Sequence, residues 1–195
     1  MLEPPKASCT YLLSHDIVSR ENQGDETMEN QQERLEWEIS WLAAFTEGEG
    51  WVSLAKNSSL QRGKRYFRFD PNCGISNTAK DLIDECTRIL DKYGIEYNVA
   101  KRKGSGIGKS EPLDRYEIIM RCANRTGKFL NLIYPYLIGL KRRRAELVLK
   151  FINLRKSKPR KASYGPEEQE IYDEMFSYKG MTQSKILNDY TPNTP

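Results

Sequence analysis

The chain has 195 residues and a mean hydropathy of -0.72, and 30% of its residues are charged. We expect one domain with a real core, and no apolar run approaches the roughly 20 residues that a membrane-spanning helix needs. The four cysteines form no CxxC pair and His15 is the only histidine, which argues against a zinc site and a Cys-His catalytic pair.

The net charge of +4 hides an uneven distribution of charge along the chain. Residues 1–40 carry nine acidic and three basic residues, and residues 165–195 carry six acidic and two basic residues. The middle of the chain therefore holds 26 basic against 12 acidic residues. Bases that are interleaved with aromatic residues are typical of a nucleic-acid-binding surface, and a solvated basic surface without a partner is the alternative.

Apolar periodicity predicts an ordered middle segment between two polar ends. Residues 1–32 lack periodicity and predict an acidic N-terminal arm, disordered or loosely docked. The predicted elements that follow are a helix at 33–49, strands at 51–57 and 64–76, a helix at 78–93, strands at 95–103 and 114–122, and helices at 125–134 and 141–155. Residues 157–195 contain short helical patterns at 166–178 and 181–189, and we expect them to form an extension outside the core.

The second and fourth strands alternate between apolar and polar residues, which predicts a sheet with one buried face and one wet face. Candidate contacts to bases or phosphates on the wet face are Lys64, Tyr66, Arg68, Asp70, Asn72, Arg115 and Glu117. The phase of the third strand is ambiguous at its end, so Lys101, Arg102 and Lys103 are all candidates. Ordinary solvated strand faces are the alternative.

The first helix has two apolar faces and an acidic end. One face carries Trp37, Trp41, Ala44 and Gly48, and another carries Leu42 and Phe45. Because the chain offers only one such helix, we expect a second copy to pack against it across a twofold axis, with burial inside a single chain as the alternative. Glu47 and Glu49 lie where the helix dipole disfavours acids, so this end is a candidate metal site.

Residues 42–50, LAAFTEGEG, resemble the LAGLIDADG motif of homing endonucleases. The predicted order of elements is similar to that family's α+β core, αββαββα with a saddle-shaped antiparallel sheet. A second similarity lies at 135–150, where Lys141 stands four residues before an alanine, in the place of the family's catalytic lysine. The resemblance covers 33–156, and the single motif copy resembles the homodimeric branch of the family.

The resemblance implies a site-specific double-strand DNA endonuclease of intron or intein homing, which cleaves a long pseudo-palindromic target by metal-dependent phosphodiester hydrolysis. It implies that Glu49 and the Gly48 carbonyl bind Mg²⁺ or another divalent cation such as Mn²⁺. Lys141 and Asn77 would complete the catalytic residues with Glu49.

The expected partners are double-stranded DNA and a second copy of the chain, with no membrane and no small-molecule substrate. The N-terminus lacks a signal-peptide pattern, so we expect an intracellular protein in the compartment of the host DNA. Glu49 stands where the family has Asp, one methylene shorter. The alternative function is a nucleic-acid-binding relative that does not cleave, either an RNA splicing maturase or a transcription regulator.

Overall fold

A computed structural model of the chain describes residues 28–61, 64–104, 113–159 and 162–177. Its elements in chain order are α1 (Met28–Glu49), β1 (Gly50–Gln61), β2 (Lys64–Asn77), α2 (Lys80–Lys92), β3 (Asn98–Arg102), β4 (Arg115–Arg121), α3 (Ala123–Ile133), a 3₁₀ turn (Tyr134–Tyr136), α4 (Gly139–Ser157) and α5 (Pro166–Ser177). The predicted α+β order is confirmed. Helix α1 begins at Met28, inside the predicted arm, while residues 1–27 and the pattern at 181–189 lie outside the described residues.

The four strands form one antiparallel sheet in the order β1-β2-β4-β3. β1 and β2 make a long hairpin whose register runs from Gly50 opposite Ile75 to Gln61 opposite Lys64. The β2 and β4 pairing begins with Asn72 opposite Arg121. Because the helices pack on one face only, the other face of the sheet is open, as the strand alternation predicts.

The core lies between the helices and the covered face of the sheet. In β2 the predicted apolar face is buried from Phe69 to Ile75, whereas Phe67, near the hairpin end, is 47% exposed. In β4 the prediction fails at two positions. Glu117, predicted on the wet face, is only 8% exposed, and Cys122, predicted to be buried, is exposed at the start of α3 with a φ of 77°.

A buried ion cluster fixes α1 against α2. Glu38, only 2% exposed, accepts hydrogen bonds from Arg88 Nη2 at 2.9 Å and from Lys92 Nζ at 2.7 Å. A carboxylate at so dry a position is tolerated because two cations satisfy it. The cluster holds the helix that carries the candidate metal ligand. No helix within the described ranges is long and apolar enough to cross a bilayer.

Helix α5 is part of the core, which corrects the expectation that residues after 157 lie outside it. Ile171 and Met175 are buried, and Met175 Sδ accepts the Leu54 N–H at 3.2 Å. Leu54 belongs to β1, an edge strand whose unpaired backbone groups need a cover, and α5 provides one.

A buried glutamate anchors α5 to the end of α4. Glu168 accepts hydrogen bonds from Gly165 N–H at 2.9 Å and from Arg155 Nη1 and Lys158 Nζ, both at 3.0 Å. Burial by itself raises the pKa of the Glu168 carboxyl, but these hydrogen bonds outweigh it and lower the pKa to about 2. The carboxylate therefore stays charged at neutral pH.

Candidate active site and nucleic-acid interface

The acidic end of α1 receives its missing positive charge from the start of α4. Helix α1 has no basic residue in its last turn. Lys141 Nζ instead donates hydrogen bonds to Thr46 O, at 2.8 Å, and to Glu47 O. The ammonium satisfies carbonyls that the helix end leaves free and neutralises the negative end of its dipole. The fold thus joins two of the predicted site segments.

The two acids of the motif have different surroundings. Glu47 Oε1 accepts the Ile138 N–H at 2.8 Å, so its carboxylate ties the end of α1 to the residue before α4. Glu49 is exposed, and its carboxylate accepts no hydrogen bond from the part of the chain that the structure describes. Glu49 is therefore the acid whose oxygens are available to a ligand.

Burial is the main reason why the pKa of Lys141 lies below its ordinary value. The carboxylates of Glu47 and Glu49 act against this shift, and the positive charge of Arg144 adds to it. Lys141 is half-buried, and charges interact more strongly where water is excluded. An anion that approached this ammonium would therefore be attracted more strongly than at a fully hydrated lysine.

A single chain offers few metal donors at this end of α1. No group of three or more His, Cys, Asp or Glu side chains that could hold a metal occurs among the described residues. The Glu49 carboxylate and the Gly48 carbonyl are hard oxygen donors of the kind that Mg²⁺ prefers. They fit a divalent cation whose other ligands come from water, from phosphate oxygens or from a second chain.

The structure gives Asn77 a local role at the end of β2. Its Oδ1 accepts the Ala79 N–H at 2.9 Å and so shapes the turn into α2. The preceding residue, Ser76, lies on the open face of the sheet. A catalytic role for Asn77 stays a prediction, and Ser76 is the closer polar neighbour of the groove.

The open face of the sheet forms a groove of about 920 Å³. Six of the predicted contacts line it: Arg68, Asp70, Asn72, Arg102, Arg115 and Glu117. The lining also includes residues that the sequence reasoning did not select, namely Trp51, Asn57, Ser76 and Arg121. Their signal was available, because Trp51 and Asn57 share one parity along β1, and Arg121 shares the parity of Arg115.

Hydrogen bonds connect the polar side chains across β1 and β2. Asp70 Oδ2 accepts bonds from Arg68 Nε at 2.9 Å and from Asn57 Nδ2 at 2.7 Å. Trp51 Nε1 donates to Asn72 Oδ1 at 3.2 Å. The Trp51 ring lies so close to Gly74 that a Cβ there would come within 2.4 Å of it. This half of the groove therefore has a fixed floor.

Glu117 organises the other half of the groove. Its carboxylate accepts hydrogen bonds from Arg102 Nε at 3.1 Å and Arg115 Nη2 at 2.6 Å. Burial alone raises the pKa of Glu117, but the two guanidinium groups outweigh it and hold the pKa below its ordinary value. Because both of its oxygens are occupied, Glu117 positions two arginines and is not itself an exposed contact.

The remaining predicted contacts have different locations. Lys101 lies opposite Tyr116, on the face of β4 that Ile118 shares, and its Nζ is 2.6 Å from Asp114. The ambiguity of the third strand is thereby resolved, since Arg102 faces the groove and Lys101 the opposite side. Lys103 is exposed beyond β3 and Tyr66 is exposed in β2, while the Lys64 side chain lies outside the described residues.

Solved structures share this architecture. The homing endonuclease I-CvuI, in complex with its target in the presence of Ca, superposes with a TM-score of 0.56 and 18% identity over 80% of this chain and 96% of that one. The chain has the LAGLIDADG homing-endonuclease fold. The group I intron-encoded homing endonuclease I-CeuI, complexed with DNA, gives 0.56 and 12% identity over 83% of each chain. I-SmaMI, a LAGLIDADG homing endonuclease bound to cleaved DNA, gives 0.50 and 16% over 80% of this chain and 49% of its own.

Similarity in sequence is more limited than similarity in fold. No protein-family model matches the chain. A protein of Methanocaldococcus jannaschii, described as uncharacterized, is 37% identical over 67 residues, which are 34% of this chain. The match spans only 22% of that protein's length.

In this homing-endonuclease fold one face of α1 is left uncovered. Ala44 and Gly48 are exposed and Trp37 is 60% exposed, whereas Leu42 and Ala43 are fully buried. A Cβ at Gly48 would meet nothing within 4 Å. Glycine weakens a helix, and nothing around Gly48 in this chain requires the loss of a side chain.

Proposed function

We propose that the chain is a LAGLIDADG homing endonuclease that cleaves both strands of a long pseudo-palindromic DNA target as a homodimer. The observation that carries the proposal is the contact of Lys141 with the end of α1, beside the exposed Glu49. Glu49 lies two residues before Trp51, which lines the arginine-rich groove. A desolvated cation, an available carboxylate and a basic groove are therefore adjacent.

The groove supports DNA as the ligand. Four arginines line it, namely Arg68, Arg102, Arg115 and Arg121, against the two acids Asp70 and Glu117. Arginine forks match phosphates and guanine edges, and the amides of Asn57 and Asn72 can pair with base edges. A twisted antiparallel sheet with these side chains on its open face suits the major groove, where base pairs are distinguishable.

The uncovered face of α1 supports the homodimer. Gly48 and Ala44 would allow a second α1 to approach closely across a twofold axis, with Trp37 and Trp41 extending the contact. Such an axis would bring the Glu49 carboxylates of both protomers together. The 49% coverage of I-SmaMI also supports a unit that is used twice, because this chain matches about half of that longer protein.

A divalent cation fits the donors at the end of α1. Mg²⁺ or Mn²⁺ would be held by the Glu49 carboxylate and the Gly48 carbonyl, and when bound it would supply Lewis-acid neutralisation of phosphate charge. Lys141 uses two of its three N–H donors on Thr46 and Glu47, which leaves one for a phosphate oxygen. Its fixed, desolvated charge would favour the negative charge that develops during hydrolysis.

Cleavage of a plasmid library with a randomised insert tests the proposal. With Mg²⁺ we expect linear product, and we expect none with chelator or with Glu49→Gln. Glu36→Gln is the matched control, because Glu36 is an exposed acid on the same helix, far from its end. If the wild-type chain binds duplex DNA tightly but cuts no member of the library, the endonuclease proposal fails, and a splicing maturase or regulator replaces it.

A further inference from the structure

Helix α4 begins with four consecutive basic residues, Lys141 to Arg144, and has no acidic residue in its first turn. The positive end of a helix dipole disfavours such a cluster. Three of the four bases have partners that explain them. Lys141 contacts the end of α1, Arg142 lies 5.0 Å from the Tyr134 ring, and Arg143 Nη1 lies 2.9 Å from Glu146 Oε2.

Arg144 is the exception among the four. It is half-buried, and its Nε is buried without a hydrogen-bond partner. Within the described parts of the chain, no acid forms an ion pair with it. Burying a polar nitrogen without a partner costs free energy, and the cost is greater for a charged group. The folded chain alone therefore does not account for this guanidinium.

The position of Arg144 relates it to the site already described. Residues three apart lie on the same face of a helix, so Arg144 is one turn beyond Lys141 on α4. Arg144 is also close enough to affect its neighbour, since its positive charge adds to the burial that lowers the pKa of Lys141. Two adjacent cations that repel each other form a site for an anion.

We propose that Arg144 is a phosphate-binding residue that, together with Lys141, holds a backbone phosphate of the duplex in the groove. This inference rests on the proposed function, since the anion is a DNA phosphate. A planar guanidinium can donate two parallel hydrogen bonds to a phosphate, and such contacts fix the position of the duplex without reading its sequence. The unpaired Nε is one of the donors that a phosphate would satisfy.

The test measures the binding of a fluorescein-labelled duplex of mixed sequence as the salt concentration rises. Loss of one phosphate contact lowers the slope of log K against log salt by about 0.9, so a dimer of Arg144→Gln should lose about 1.8. At low salt we expect binding roughly 10- to 100-fold weaker, as for loss of a charge-assisted hydrogen bond. Arg144→Lys should recover most of the slope because it keeps the charge.

Arg143→Gln is the matched control, one residue away on the same helix. It removes ion pairs with Glu146 and Glu174, so it should lower the melting temperature and leave the salt slope unchanged. Arg144→Gln should not lower the melting temperature, because it removes an unpaired buried group. The inference is overturned if Arg144→Gln unfolds the chain or if its salt slope equals that of wild type. If the wild-type chain binds no duplex at all, the proposed function fails together with the inference.

Discussion

Substitution of Gly48 by alanine separates the stability of one chain from the association of two. In one chain the new methyl group meets nothing within 4 Å. Gly48 is also absent from the glycines with positive φ, which are Gly94 and Gly139 within the described ranges. Alanine in a helix is favoured over glycine by up to about 1 kcal/mol, so the free energy of unfolding of the monomer should rise slightly.

The same methyl group should weaken the dimer. If two copies of α1 pack closely at Gly48, each dimer gains two methyl groups in a tight contact. Overpacking costs about 1–3 kcal/mol, which corresponds to a dimer dissociation constant roughly 5- to 150-fold higher. The monomer and the dimer are thus expected to respond in opposite directions to one substitution.

Sedimentation over a concentration series measures the association, and thermal unfolding of the dilute chain measures the monomer. Gly127→Ala is the control, since Gly127 lies in the middle of α3 and its Cβ would be 3.5 Å from Ile152 Cδ1, an ordinary contact. It should stabilise the chain without changing association. A wild-type chain that stays monomeric at every concentration refutes the reasoning, and so does a Gly48→Ala chain that dimerises as tightly as wild type.

Three further substitutions test the polar contacts. Lys141→Met should lower the unfolding free energy by about 1–2 kcal/mol, because the end of α1 loses its cation, and should also abolish cleavage; thermal melts and plasmid nicking measure the two effects, and unchanged melts contradict the first. Glu117→Gln should loosen Arg102 and Arg115, so selection from a duplex library should yield broader sequence preference than wild type, while a narrower one contradicts the positioning role. Glu168→Gln should destabilise the protein most at neutral pH. Because the folded pKa of Glu168 is lowered to about 2, its contribution is complete above the ordinary value of 4.5 and is lost as the pH falls toward 2; denaturant titrations at several pH values should show the difference from wild type shrinking on acidification, and a constant difference refutes the assignment.

The sequence by itself determined the element order and much of the core. Apolar periodicity located the helices, and alternation in β2 separated the buried side of Phe69 and Ile75 from the polar side of Arg68 and Asp70. These features are local, because a helix or strand period places side chains on one face whatever the rest of the chain does. The acidic end of α1 was visible for the same reason.

Only the tertiary structure decided which charges meet. Lys141 reaches the end of α1 across 94 residues of sequence, and Glu117 becomes buried because Arg102, on a neighbouring strand, closes over it. The pairing register decided that Arg102 faces the groove and Lys101 does not. Periodicity gives the face of a residue within its own element, whereas the partner of a charge depends on how elements pack. The unpaired guanidinium of Arg144 is the clearest case, since its neighbours in sequence are equally basic and only packing shows that it alone lacks a partner among the described residues.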